Sequence, residues 1–525
     1  MTTQSAPEAE PSQSTSERAP RPHRRMQRRE LLMAAGGLSA GLLAGLATSR
    51  AMAATRRAGS SPATSPSASP SSSAPAAAGG VPLLRFHSSM LSAAKISVAT
   101  LAPGPLAPGL FFATPNTGEY SAVIYDNSGS PVWISARGEA TTDFRVQQYQ
   151  GKPVLTFWSG KIDNQVGNGQ GHGVILDAGY NKIAEVDAGN GMLSDLHEFQ
   201  LTARGTALVT VYPATAADLT SVGGPAQGWM YDCHIQEIDV ATNELLLDWV
   251  ASKHIGLDES YQPLGSTGSD AATPYDPYHL NAISADTDST LLLSARHTHT
   301  VYSIQRSSGD IAWRLGGKKS DFAVAEDAAF AWQHHARRQS SSQISLFDNH
   351  TLETTGSSRG LLLTVDEQAR TATVAQQYTR PGHLGNAMGS TQILGNGNVL
   401  VGWGTQNAAT EFSADGTALW EASALGSNCY RVARSEWTGR PTTAPDIAVD
   451  ASGGTLTVHA SWNGATEVAT WRVLTGNSAS ALGKAVEVAR SGFETSTTTG
   501  LAGYVQVLAL DAAGAILGRS RVVAL

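Results

Sequence analysis

Cysteine is nearly missing from this chain: Cys233 and Cys429 are the only two among 525 residues. The fold must therefore rest on an apolar core, for which 41% hydrophobic and 7% aromatic residues suffice. Charge is also scarce, at 15% of residues with a net of -8. No Lys/Arg run lies beyond the N-terminal leader, which argues against a nucleic-acid partner. No apolar run outside that leader is long enough to span a bilayer. Extended helical periodicity is absent as well. Abundant Gly, Ser, Thr and Ala with so little charge suit a β-rich chain.

The first of the features present is an address. "RRMQRRELLMAAGGLSAGLLAGLATSRAMAA" sets Arg28 and Arg29 before a mildly apolar Gly/Ala segment and a small-residue site at Ala51-Met52-Ala53. Residues 1–53 are expected to be a twin-arginine export signal, placing the protein outside the cell or in its envelope. The same features also suit an uncleaved anchor. Residues 54–82, with "SSPATSPSASPSSSAPAAAGG", are a Ser/Pro/Ala linker.

A degenerate repeat then runs from Leu110 to Ala422. An apolar strand, a turn and a second apolar strand recur as "VIYDNSGSPVWI", "VILDAGYNKIAEV", "QEIDVATNELLLDW", "YSIQRSSGDIAWRL", "LLTVDEQARTATVA" and "TEFSADGTALWEA". Asp126, Asp177, Asp239, Asp366 and Asp415 mark the turns. Each hairpin follows another short apolar run. Six such units predict an all-β fold: a six-bladed β-propeller over residues 83–436. A linker at 437–445 and a small Ig-like or fibronectin-III-like β-sandwich at 446–525 follow. In the ring the two cysteines fall on opposite sides, so two free thiols are expected. Trp133, Trp249, Trp313 and Trp420 are expected to pack between blades.

The first strand of each blade lines a propeller's channel. "DLHEFQLT", "YHLNAISA" and "FAWQHHARR" place His197, His279 and His334 there. Polar groups on innermost strands are costly unless satisfied or wet. Read by strand alternation, His279 and Asn281 share a face. His297 and His299 share another, read as a polar outer face, with Arg296 opposite them. His334 and His335 point apart, and only one of them can face the channel.

The motifs "DLHEFQL", "YHLNAI", "LLLSARHTHTVYSI", "GDIAWRLGGKKSDF", "WQHHARR" and "ISLFDNH" resemble, in order, those of bacterial arylsulfotransferases. These are secreted propeller enzymes that do not use the nucleotide sulfate donor PAPS. The resemblance implies a transferase that moves a sulfuryl group from an aryl sulfate ester to a phenolic acceptor through a sulfohistidine. It implies His334 as the nucleophile and His197, His279 and Arg296 as sulfate-binding groups. One departure stands out. His335 occupies a position where the family commonly has a small or acidic residue.

The chemistry agrees with that assignment. A neutral imidazole is a competent nucleophile, and sulfuryl transfer, like phosphoryl transfer, rests on positioning and charge stabilisation. Arg296 offers a fork of donors to sulfate oxygens, and Asn281 could orient a histidine. The insertion Lys253 to Tyr278 enters just before His279, so Tyr261, Tyr275 and Tyr278 are candidates to bind the aryl ring. No cofactor is implied. The partners are two small molecules, the export machinery and no nucleic acid. Alternatives are an aryl sulfate hydrolase, a non-catalytic surface propeller that binds a polar ligand, and a metal enzyme on the histidines. Neither "DCHIQ" nor "NCYRV" has the Cys-x-Pro-x-Arg form of the usual sulfatase nucleophile. "RLGG" lacks the lysine and helix of a phosphate loop.

Overall fold

A computed structural model describes residues 80–350, 357–427 and 429–525. The export-signal segment and all but the last residues of the expected linker lie outside them. The described residues are all-β apart from single 3-10 turns, and no helix is long and apolar enough to cross a membrane.

Six antiparallel sheets of four main strands succeed one another. The second sheet comprises Ala140–Tyr149, Lys152–Asp163, Asn168–Leu176 and Lys182–Val186, with the first strand at one edge. The third begins at Phe199–Leu201, the fourth at Leu280–Ala285, the fifth at His334–Ser340 and the sixth at Ser390–Ile393. The first sheet is composite. Leu110–Ala113, Val123–Tyr125 and Pro131–Ile134 take their edge partner, Ala433–Ser435, from more than three hundred residues later. Sequence patterning did not supply that strand, because its three residues carry no periodicity of their own. Ser97–Thr100 likewise joins the outer edge of the sixth sheet through Trp420 and its neighbours.

The turn aspartates explain why the hairpins recur. Asp126 Oδ1 accepts from the Ser128 and Ser130 amides, Asp239 Oδ1 from Ala241 and Thr242, and Asp366 Oδ1 from Gln368 and Ala369. Each carboxylate closes the turn in place of backbone. Between sheets the apolar faces interlock: Trp420 meets Phe111 edge-on at 5.3 Å, and Trp133, Trp249 and Trp313 are buried as expected.

The first strands are also tied sheet to sheet. Arg145 donates to the Phe199 carbonyl, the Ile283 amide donates to Glu198, and Asn281 donates to the Gln333 carbonyl. His335 bonds the Thr391 carbonyl, and Gln392 donates to the Arg434 carbonyl. Arg431 closes the series on Asp143. These bonds engage the inner edges of the sheets with one another.

Two further sheets occupy the C-terminal residues. One holds Asp446–Ser452, Thr455–Ser461 and Glu494–Gly500; the other is built on Thr470–Ser478 and Tyr504–Leu510. They share a core of Leu456, Val458, Trp471, Val473, Val505 and Val507. Asn463 pins them to the first sheet by paired bonds to Ile134. Cys233 and Cys429 are both buried free thiols.

Candidate functional site

Where the first strands begin, a cavity of about 290 Å³ is lined by His197, His279, Arg296 and His334, with Tyr120, Leu196, Met388 and Tyr430. The histidines reach it differently from a plain strand alternation. His197 and His279 stand just before their strands, and His279 sits at φ 51°. His334 opens its strand. All three are buried, and the His197 and His279 rings meet edge to face at 4.8 Å.

Each imidazole is anchored through Nδ1. His197 Nδ1 lies 2.5 Å from Asp195 Oδ1, and Asp195 also accepts from the Gly169 amide, the His197 amide and the Thr210 hydroxyl. His279 Nδ1 lies 2.6 Å from Asp276 Oδ2. His334 Nδ1 lies 2.7 Å from Asn349 Oδ1. The Asn349 amide is oriented without ambiguity, since its Nδ2 donates to the Gly385 and Met388 carbonyls. Its oxygen must then accept, so His334 carries its proton on Nδ1 and leaves a lone pair on Nε2. The Met388 amide approaches that Nε2 at 3.3 Å.

Electrostatics keep this group neutral. Burial, followed by Arg296, holds the His334 imidazolium well below its usual range. Burial, with His197 and Arg296 adding to it, does the same at His279. Arg296 itself is pushed down to about 10 by burial. Its Nη1 donates to His297 Nε2 at 2.8 Å and its Nη2 to the Asn386 carbonyl. The guanidinium lies 4.7 Å over Trp332, and Nε is buried without a partner among the described residues. No carboxylate hydrogen-bonds it there. A buried guanidinium so placed is an incomplete ion pair, and an anion would complete it.

Several expectations need correction. Residues 296–299 form a turn between Thr290–Ala295 and Thr300–Gln305, so alternation does not apply to them. His297 is buried, stacks on His279 at 4.6 Å and donates from Nδ1 to the Asp276 carbonyl. It is no outer-face residue. Tyr275 and Tyr278 do not reach the cavity: their hydroxyls bond the Gln262 and Ile255 carbonyls inside an apolar core. Tyr261 stacks on His299 at 4.1 Å. Asn281 spends its amide on the Gln333 carbonyl and ties strands together. The insertion's contribution is Asp276, whose side chain holds His279 and whose carbonyl holds His297.

Sequence reading missed Asp195, Asp276 and Asn349, and set His297 on an outer face. A signal existed, because each imidazole partner lies in or beside the quoted motifs, as in "DLH", "YDPYH" and "FDNH". His335 does turn away from the cavity, but by a bulge. Its φ is 56°, and the register slips between His334 and Arg337.

Asp276, His279 and His297 bring ligand atoms within 4.8 Å of one another. Arg296 against His297 opposes a cation there, and both ring Nδ1 protons are committed to Asp276. At His87, Asp450 and His459 the two rings stack at 4.1 Å and 4°. His87 Nδ1 and His459 Nε2 both face Asp450 Oδ2, at 3.4 Å and 3.1 Å.

The protein is thus an all-β chain whose strand ends assemble an imidazole-guanidinium cavity suited to an anionic, transferable group. The sequence model of the arylsulfotransferase (ASST) family matches residues 145–424, more than half of the chain, and the chain belongs to that family. No curated protein matches it. Among solved structures, a protein of unknown function from Bacteroides caccae is similar at 10% identity and TM-score 0.35, over 62% of this chain and 98% of that one. A virginiamycin B lyase from Staphylococcus aureus is similar at 9% and 0.30, over 69% and 95%. Likeness at that level carries no argument about function.

Proposed function

We propose that this sulfotransferase is a six-bladed β-propeller with an accessory C-terminal sandwich. It moves sulfuryl groups from aryl sulfate esters to phenols without PAPS, through a sulfohistidine at His334. The observation carrying this reading is the His334–Asn349 bond, which leaves Nε2 unprotonated in the cavity that Arg296 charges. In the first half-reaction His334 Nε2 bonds to sulfur while the sulfur–oxygen ester bond breaks. The departing phenolate takes a proton from His197, which Asp195 orients through Nδ1. Arg296 holds the equatorial sulfuryl oxygens as their charge redistributes. In the second half-reaction a phenol oxygen attacks sulfur, the nitrogen–sulfur bond breaks, and the phenol proton returns to His197. Leu196 and Met388 supply apolar wall for the ring. Residues 1–53 direct the chain outward by the twin-arginine route.

The test incubates the purified protein with a chromogenic aryl sulfate, with and without phenol. Acceptor-dependent release, together with a sulfuryl adduct on the peptide bearing His334, is expected. Acceptor-independent release would make it a hydrolase. Silence across several donors would leave a binding module.

A further inference from the structure

Farther along the same first strands lies a second cavity of about 460 Å³, which shares no lining residue with the His334 cavity. His335 and the guanidinium groups of Arg145, Arg337 and Arg431 line it. The partners of those groups are Asp143 and Glu198. Glu198 Oε1 meets Arg145 at 2.7 Å, while Oε2 meets Arg337 at 2.6 Å and Arg431 at 3.1 Å. Asp143 Oδ1 meets Arg431 at 2.8 Å and Arg145 at 3.1 Å, and its Oδ2 takes the Phe199 amide.

Three cations thus face two carboxylates in a largely buried cluster, one negative charge short. Each carboxylate carries a single charge and already bonds two or three of the guanidinium groups, so neither can supply the balance. Burial pushes the Glu198 carboxyl up, but Arg337, Arg431 and Arg145 overcome this and hold it well below its usual range. The shortfall falls on Arg337. Its Nη1 donates only to the carbonyl of its chain neighbour, Ala336. Burial, with Arg431 and Arg145 adding to it, lowers its pKa despite Glu198. The same surroundings keep His335 neutral. Arg145 and Arg337 retain 14% exposure on their side chains, and both line the cavity. An uncompensated buried cation is costly, whereas a forked guanidinium meets an oxyanion with strong, directional bonds.

We propose that the second cavity binds a small oxyanion, a carboxylate, sulfate or phosphate, through Arg145 and Arg337. Its occupant supplies the missing charge. The site touches the strands of the first cavity, since Glu198 follows His197, His335 follows His334 and Arg431 follows Tyr430.

The test is thermal unfolding of the full chain against inorganic sulfate, phosphate or acetate, with ionic strength held constant by chloride. The comparison uses Arg296→Met, which removes the guanidinium of the first cavity, with and without Arg337→Met. A saturable rise in Tm is expected in Arg296→Met, and none in the double variant. Without anion the two should match, because Arg337→Met leaves two cations facing two carboxylates. Should that variant fail to fold, Arg337→Lys keeps the charge without the fork and should weaken the midpoint at least roughly tenfold. A response to sulfate and phosphate alone assigns a tetrahedral anion, and one that includes acetate assigns carboxylates too. A rise that survives in the double variant, or no saturable rise in Arg296→Met, would overturn the proposal.

Discussion

His334 and His335 are chain neighbours that serve two different cavities. The His334 cavity holds one guanidinium, Arg296, with no carboxylate bonded to it, and presents a lone pair fixed by a neutral amide. The His335 cavity holds three guanidinium groups braced by two buried carboxylates. The first is arranged for an anion that arrives and leaves. The second spends most of its charge on joining strands, through Arg145, Arg431 and Glu198. Positive charge alone therefore does not mark the reactive site. What distinguishes the His334 cavity is a guanidinium with no bonded carboxylate beside an imidazole nitrogen left unprotonated.

Exchanging the two histidines is the harshest way to break this contrast. His334→Ala should lose transfer by more than roughly 10³-fold while keeping its Tm, and His335→Ala should keep transfer within about an order of magnitude. Steady-state assays with donor and acceptor varied, plus circular dichroism, check both. Equal losses would erase the distinction. Arg296→Lys keeps charge but not the fork, and a fall of about 10²–10³-fold in kcat/KM for the donor is expected.

Asp276→Asn should cost less, about 10–100-fold. It changes a group that positions His279 and holds His297 only through its backbone. A donor series in which the loss grows with leaving-group pKa would instead implicate His279 in protonation.

Acid should weaken the fold through both cavities. His279, His334 and His335 all have imidazolium forms driven well below their ordinary range, chiefly by burial. The unfolded chain therefore binds more protons than the folded one once pH drops below the unperturbed value of about 6.5. Stability from these groups is complete above that value and is lost as pH falls below it. Urea midpoints measured from neutral pH downward should decline, and His335→Gln should make the decline shallower.

Tyr278→Phe is the smallest effect. It removes a hydroxyl bond to the Ile255 carbonyl, costing about 1 kcal/mol of stability. The donor KM should not change, since the ring is core and not cavity wall.

The histidines were readable because they sit in ordered motifs, and the sheets because Asp turns recur between apolar runs. The positions misjudged share a cause. Arg296, His297 and His299 lie in a turn, and His335 lies on a bulge, so a two-residue period assigned their faces wrongly or for the wrong reason. Tyr275 and Tyr278 carry the chemistry of a ring-binding wall, but the same chemistry serves a core when a carbonyl is near enough to take the hydroxyl.

Sequence alone determined the β class, the repeating hairpins and the residue types, three histidines and Arg296, that meet in one cavity. Those are properties of local pattern and of residue type. Tertiary structure decided which nitrogen of His334 is free, which partner holds each imidazole, and where Ala433–Ser435 completes the first sheet. It also decided that Arg296 has no bonded carboxylate while Arg145, Arg337 and Arg431 do. Protonation, pairing and charge balance depend on groups brought together from distant parts of the chain, and only folding sets those distances.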